Sequence, residues 1–401
     1  MKITKVETLR LGEIPNLLYV RIHTDEGITG LGETYLGAAA VEAYLHETAA
    51  PILLGSDPLR IEHTSAALRG YLGYASTGAE TRGASAVDIA LWDIFGKAAG
   101  QPLYQLLGGA SRDRVRVYNT CAGYEYNRRR PVQAVGNWGL PDGSSRGPYE
   151  DLDAFLHRPG ELAESLLDEG ISGMKIWPFD PYAERTGGHY ISPADLKEAL
   201  EPFRKIRKAV GGGMDIMVEF HGLWDLPAAS RIARALEEFE PFWFEDPLRA
   251  DDLGALAEYA RATAVPVTLS ETVSGRRAFR DLLERRIPGV VMFDVGWCGG
   301  MSEAKKITAM AEAYQLPVAP HDCTGPVVFT AAVHLSVHAP NAMVQEMVRA
   351  YYSDWYRELV TALPPLEAGY IAPPEGPGLG TELVPGLERR PDASVRISDG
   401  R

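Results

Sequence analysis

The 401-residue chain has little cysteine: Cys121, Cys298 and Cys323 lie far apart and form no CxxC pair. That spacing argues against a disulfide framework and against a thiolate zinc site. Positive runs are equally scarce. The longest is Arg128-Arg129-Arg130, in a chain of formal charge −14, so no nucleic-acid or acidic-membrane partner is expected. Long apolar runs are missing too. Stretches such as Val327 to Val333 fall far short of the ~20 residues that span a bilayer. The first five residues lead into alternation rather than into the apolar core of a leader. A cytoplasmic protein is expected. With 45% hydrophobic and 23% charged residues, the composition is that of a globular protein with a large core, and the length allows two or three domains at ~150 residues each.

Two patterns divide the chain. The first ~110 residues begin with short alternating runs, such as Leu18 to Thr24, which turn at Asp25-Glu26-Gly27 and resume at Thr29. This is a hairpin signature. From about Ala84 the apolar residues Val87, Ala90, Leu91 and Ile94 recur at helical spacing, and Gly100-Gln101-Pro102 ends the run. Beyond Arg114, β-branched runs alternate with amphipathic stretches. The predicted strands are Arg116–Thr120, Gly173–Trp177, Met217–Phe220, Phe242–Glu245, Val267–Ser270, Val290–Asp294, Val318–Pro320 and Met343–Glu346. Eight βα repeats predict a barrel. The Pro- and Gly-rich tail, Gly369 to Val384, is expected to pack back on the N-terminal unit. Two long connections, Ala122 to Gly147 and Pro178 to Ser192, have the length of active-site lids.

A barrel presents its chemistry at the C-terminal ends of its strands. Glu219, Glu245 and Glu271 each fall at such an end, 26 residues apart. Three carboxylates converging on the barrel mouth repel one another unless a cation joins them, and an all-oxygen set suits Mg²⁺. The phase continues through Asp294, His321 and Glu346, at intervals of 23, 27 and 25 residues. A histidine beside a carboxylate from the adjacent strand is a general-base arrangement. Two-residue strand periodicity adds His221 to the face of Glu219 and puts Lys175 and Trp177 on one face. A lysine inside an apolar strand needs an anionic partner, such as a substrate carboxylate.

These residues resemble the enolase superfamily, in particular the mandelate racemase-like branch of the mandelate racemase/muconate lactonizing enzymes, which includes acid-sugar dehydratases. The resemblance is carried by Ser85 to Asp93 with Lys97-Ala98 and Pro102 to Gly109, by Phe244-Glu245-Asp246-Pro247, by Asp294 with Gly299-Gly300, by Ala319-Pro320-His321, by Gln345-Glu346 and by Pro377 to Gly380. It implies an α/β protein with a modified TIM barrel, (β/α)₇β, over residues 113–367. An N-terminal α+β capping domain would span 1–112, completed by about 368–401. It also implies Mg²⁺ on Glu219, Glu245 and Glu271, a base dyad of His321 and Asp294, and a hydrogen bond from Glu346 to a substrate carboxylate. Lys175 would help stabilise the charge that develops. An even-numbered homo-oligomer acting on a small sugar acid is the family expectation.

Two positions depart from the branch. Racemases carry Lys-x-Lys with the second lysine as a base, and here that position is Trp177. The sequence offers His221 instead, similar to galactonate dehydratase-like members in which a histidine protonates the departing hydroxyl. The first metal ligand, usually Asp, is Glu219, one methylene longer. The expected reaction is a Mg²⁺-dependent dehydration. The acid sugar chelates the metal through its carboxylate and 2-hydroxyl, His321 removes the α-proton, and His221 protonates the 3-hydroxyl as it leaves, giving a 2-keto-3-deoxy acid. A cycloisomerase or epimerase working through the same enediolate is the alternative, with Trp177 as an apolar wall. A non-catalytic metal- or sugar-binding barrel is a second. A hydrolase barrel is set aside because Val117-Tyr118-Asn119-Thr120 lacks His-x-His. Candidate substrate contacts in the capping loops and long connections are Asn16, Tyr35, Tyr124, Tyr126, His189 and Tyr190.

Overall fold

The computed structural model describes residues 1–69, 77–140 and 147–400. The alternating N-terminal runs form β1 (Ile3–Leu11), β2 (Ile14–Thr24) and β3 (Thr29–Tyr35), an antiparallel meander in which Leu17 faces Tyr35 and His23 faces Thr29. The helix Ala79–Ala99 lies across this sheet. Two glycines set the distance. A Cβ at Gly30 or Gly32 would stand about 2 Å from the carbonyl oxygens of Ala90 or Ala86, so any side chain there would push the helix away. Asp93 then pins the contact, accepting from the backbone N–H of Leu31 at 2.9 Å and of Leu379 at 2.8 Å.

The remaining strands close a ring. β4 (Val115–Thr120), β5 (Gly173–Ile176), β6 (Asp215–Glu219), β7 (Trp243–Glu245), β8 (Val267–Leu269) and β9 (Val290–Val291) are parallel neighbours in that order. Val318 takes the seventh position, bridging Val291 on one side and Ala342 on the other. β10 (Gln345–Met347) pairs with β4 and completes the circle. Tyr118, Met217, Trp243, Val290, Met292, Ala319 and Val344 fill the interior. Met217 and Trp243 lie two residues before Glu219 and Glu245, so strand periodicity aims both carboxylates inward, one layer above the packed core.

Two expectations need correction, and a third is met in part of the tail. The seventh strand, expected over Val318–Pro320, is reduced to single bridges at Val318, because Pro317 and Pro320 have no N–H to give to a ladder. The tail Gly369 to Val384 does pack back on the N-terminal unit, as a loop whose Gly378 bridges Pro102 and whose Leu379 N–H donates to Asp93. Around its start β11 (Leu366–Glu367) and β12 (Tyr370–Ile371) form a small hairpin against β4. The strand that joins the N-terminal sheet comes later: β13 (Ala393–Asp399) pairs antiparallel with β1. Finally, the connection Pro178 to Ser192 is not unstructured, since it contains the helix Asp180–Thr186. The other long connection is described except for residues 141–146. Among the described residues no helix is long and apolar enough to cross a membrane.

Candidate active site

The strand ends meet at a cavity of about 200 Å³ between the barrel mouth and the N-terminal sheet. Lys175, Trp177, Glu219, His221, Glu271 and His321 line it, with Tyr35 and Arg82 contributed from the N-terminal side. Glu245, Asp294 and Glu346 are fully buried beneath. Oxygen atoms of Glu219, Glu245 and Glu271 lie within 4.8 Å of one another. Octahedral ligands at ~2.1 Å from Mg²⁺ stand ~3 to ~4.2 Å apart, so the three oxygens need to draw in only slightly to share one ion. Their donor chemistry therefore fits a hard divalent cation, and the extra methylene of Glu219 does not take it out of reach.

The charge balance supports the same fit. Glu219, Glu245, Asp246, Glu271, Asp294 and Glu346 crowd a space served by Lys175, His221 and His321. The Lys175 Nζ lies 2.5 Å from Glu245 Oε1, 2.8 Å from Glu346 Oε1 and 3.3 Å from Glu219 Oε2. Although burial opposes its charge, these carboxylates hold the Lys175 pKa well above the usual lysine range. Burial, and then the charge of Glu219, pushes Glu245 far above the ordinary carboxylate range. A protein that pays this much to bury like charges needs a counter-ion or a substrate to neutralise them.

Each of two histidines is seated on a carboxylate. His321 Nδ1 is 2.8 Å from Asp294 Oδ2, and its Nε2 is 2.8 Å from Glu271 Oε2. Burial disfavours the imidazolium, but Glu271, Glu346 and Asp294 raise its pKa well above the usual value. Glu271 falls to about 2 against the cost of its own burial, held down by the His321 charge and hydrogen bond. His221 Nδ1 lies 2.8 Å from Asp180 Oδ2, and its Nε2 is 3.4 Å from the Tyr126 hydroxyl. Its pKa rises to about 9, burial being outweighed by Asp180 and Glu219.

His221 reaches the cavity by a route that strand periodicity does not describe. β6 ends at Glu219, and His221 follows in the left-handed region at φ 52°. The turn wraps the carboxylate: the backbone N–H groups of Phe220 and His221 both donate to Glu219 Oε1, at 3.0 and 2.7 Å. Such a backbone is unfavourable for a non-glycine residue and persists where neighbours over-determine it. Trp177, one residue past β5, packs edge-on to His221 at 5.8 Å between ring centroids and closes that wall.

Of the remaining candidates, Glu346 accepts from Thr120 Oγ1 and from the Asp322 backbone N–H. Tyr35 lines the cavity with its ring, while its hydroxyl donates to the Asn127 carbonyl. Asn16 is not brought to the cavity. It is buried behind it, donating to the same carbonyl at 2.7 Å. Tyr126 reaches the cavity, whereas Tyr124, His189 and Tyr190 do not line it.

Three residues escaped the sequence reading. Asp180 sits in a long connection with no strand phase. Arg82 stands in an unremarkable Thr81-Arg82-Gly83. Asp246 directly follows Glu245, where alternation would turn it outward, yet φ 39° returns it to the cavity. One of its oxygens accepts from Ser270 Oγ at 2.9 Å and the other is buried without a partner. The Glu-Asp-Pro motif was the only signal available for it.

Residues 159–386 match the family described as enolase C-terminal domain-like, and residues 12–108 match the mandelate racemase / muconate lactonizing enzyme N-terminal domain. Among solved structures, an enolase of the mandelate racemase subgroup from Agrobacterium tumefaciens is 55% identical, with a TM-score of 0.88 over 100% of this chain and 99% of that one. An enolase protein from the Sargasso Sea environmental genome sequencing is 44% identical, with the same TM-score and coverage. Among curated proteins, a D-galactonate dehydratase of Ralstonia nicotianae is 32% identical over 396 residues, covering 96% of this chain and 92% of that protein.

Proposed function

The chain belongs to the mandelate racemase / muconate lactonizing enzyme family of enolase C-terminal domain-like enzymes, and from that membership we propose that it is a Mg²⁺-dependent acid-sugar dehydratase. The observation that carries this reading is the pair of histidines, His321 and His221, that line one cavity, each backed by a buried carboxylate, Asp294 and Asp180. The name of the D-galactonate dehydratase relatives points to the same class. The domain division at residue 112, and an even-numbered homo-oligomer, belong to this proposal.

Glu219, Glu245 and Glu271 would hold the Mg²⁺, which supplies Lewis-acid stabilisation of the negative charge that develops as the α-proton leaves. Lys175, at the floor of the cavity, donates to the substrate carboxylate, and Glu346 fixes the ammonium. Asp294 accepts from His321 Nδ1–H, which leaves the Nε2 lone pair to take the α-proton. A base must be neutral, so Glu271, now 2.8 Å from Nε2, would have to release it, as its role among the three carboxylates that would hold the metal requires. On the other wall His221, held protonated by Asp180, gives its proton to the 3-hydroxyl, which departs as water. Loss of H⁺ from C2 and of hydroxide from C3 leaves an enol that tautomerises to the 2-keto-3-deoxy acid.

Proton NMR in D₂O with Mg²⁺ and pooled acid sugars tests the reading. A new 3-deoxy methylene signal is expected. Deuterium at C2 without elimination would replace it with the second reading, an epimerase or cycloisomerase. Trp177 favours the cycloisomerase form of that reading, because an apolar wall suits a lactone or anhydro ring better than a polyol, while the missing second lysine disfavours two-base epimerisation. Glu271→Gln should lose divalent-cation binding by calorimetry, and a metal-replete variant would overturn the ligand set.

A further inference from the structure

The cavity has a second cationic pole, which the reaction above does not use. Arg82, in the first turn of the helix Ala79–Ala99, lines the roof opposite the barrel floor that carries Lys175. Its guanidinium is fixed from three directions. Nε donates to the Thr77 carbonyl at 2.6 Å and Nη1 to the Tyr35 carbonyl at 2.5 Å, and the plane lies 4.1 Å from the centre of the Trp297 ring. Trp297 in turn packs against the His321 imidazole at 5.4 Å, so Arg82 stands one aromatic ring away from the base.

What Arg82 lacks is an acid. Among the described residues no carboxylate lies within ion-pair distance of this half-buried cation, whereas Lys175, His221 and His321 each have at least one. Burial lowers its pKa to about 10, and the distant charges of Asp294 and Glu271 only partly offset this. Residues 70–76, next to it in sequence, contain no acidic side chain. A preorganised guanidinium that spends two of its five N–H donors on neutral carbonyls and lines a small cavity is suited to a planar anion. Holding such a cation out of water is costly unless an anion joins it.

We propose that Arg82 binds a second, distal carboxylate, and that the preferred substrates are hydroxylated dicarboxylic acids, the aldarates, rather than the monocarboxylic aldonates. One carboxylate would sit at the Lys175 pole and the other at Arg82, with C2 beneath His321. The inference rests on the acid-sugar reading for the identity of the chain between the two ends. The two-pole recognition itself rests on Arg82 alone.

The test uses the Mg²⁺-loaded protein and matched pairs of aldonate and aldarate with the same hydroxyl configuration, followed by proton NMR in D₂O. A charge-assisted contact of this kind is worth about 10- to 100-fold. The diacid of at least one pair should show kcat/KM higher than its monoacid by that factor, expressed mainly in KM. Arg82→Gln should bring the ratio to within about threefold of unity, and Arg82→Lys should restore part of it. Calorimetric binding of unreactive adipate against hexanoate to the wild type gives a readout that needs neither turnover nor a folded variant, and adipate should bind tighter. Equal or better use of monoacids, or a diacid preference unchanged in Arg82→Gln, overturns the assignment. Diacids that exchange the α-proton without losing water would sink the dehydratase reading and leave the Arg82 assignment standing. Dehydration of monoacids alone does the reverse.

Discussion

The two walls of the cavity repeat one motif half a turn apart. On one side Asp180 follows β5, the second barrel strand, and His221 follows β6, the third; on the other Asp294 follows β9, the sixth, and His321 follows the seventh position. Each histidine has its Nδ1 2.8 Å from its carboxylate. The walls differ in what Nε2 meets. His321 meets a third carboxylate, Glu271, whereas His221 meets the Tyr126 hydroxyl and the edge of Trp177. On the proposed mechanism one pairing serves two tasks. A histidine whose charge depends on a group that can be engaged elsewhere is switchable, and suits a base. A histidine held protonated by its own dyad is standing ready, and suits an acid.

The comparison is broken most severely at the base. His321→Asn keeps size and the contact to Asp294 but has no basic nitrogen, and should lower α-proton exchange by about 10³-fold or more. An exchange rate equal to wild type would remove His321 from that role. A smaller effect tests the other dyad. Asp180→Asn should lower the rate of elimination by about 10- to 100-fold and pull the upper limb of its pH profile down from the alkaline range, because the amide no longer holds His221 charged. Rates that fall with the profile unmoved would mean that Asp180 only shapes the loop.

A third histidine sharpens the contrast by having no carboxylate at all. His334 is buried, with Nε2 3.1 Å from the Leu379 carbonyl and Nδ1 accepting from the Tyr104 N–H at 3.4 Å. Burial lowers its pKa to about 4. The unfolded chain therefore binds the extra proton between pH 6.5 and 4 and the folded one does not, so stability falls as pH drops through that window. The loss attributable to His334 should approach ~3 kcal/mol below pH 4. Denaturant unfolding of wild type and His334→Gln as a function of pH measures it, and parallel curves would refute it.

Much of this was legible because the barrel repeats in sequence. The 26-residue phase placed Glu219, Glu245 and Glu271 together, and its continuation found His321 beside Asp294, since each residue closes one βα unit. The hairpin from Leu18 to Glu33 was readable from alternation and its Asp25-Glu26-Gly27 turn. What was missed lies where strand phase gives no guide. Asp246 enters the cavity through a left-handed turn, His221 was found but arrives by such a turn and not by strand periodicity, and Asp180 stands behind His221 in the first turn of a connecting helix. The seventh strand lost its ladder to two prolines. Arg82 is defined only by what surrounds it in space, and Asn16, on a readable strand, was carried behind the cavity.

The central claim is that the two dyads divide the work, and His221→Asn measures that division most directly. In D₂O with Mg²⁺ and a dehydrated acid sugar, the variant should still exchange the α-proton at within about tenfold of the wild-type rate, while formation of the 3-deoxy product falls by 10²-fold or more. Loss of exchange and elimination in equal measure would contradict the account, because His221 would then be acting before the α-proton leaves.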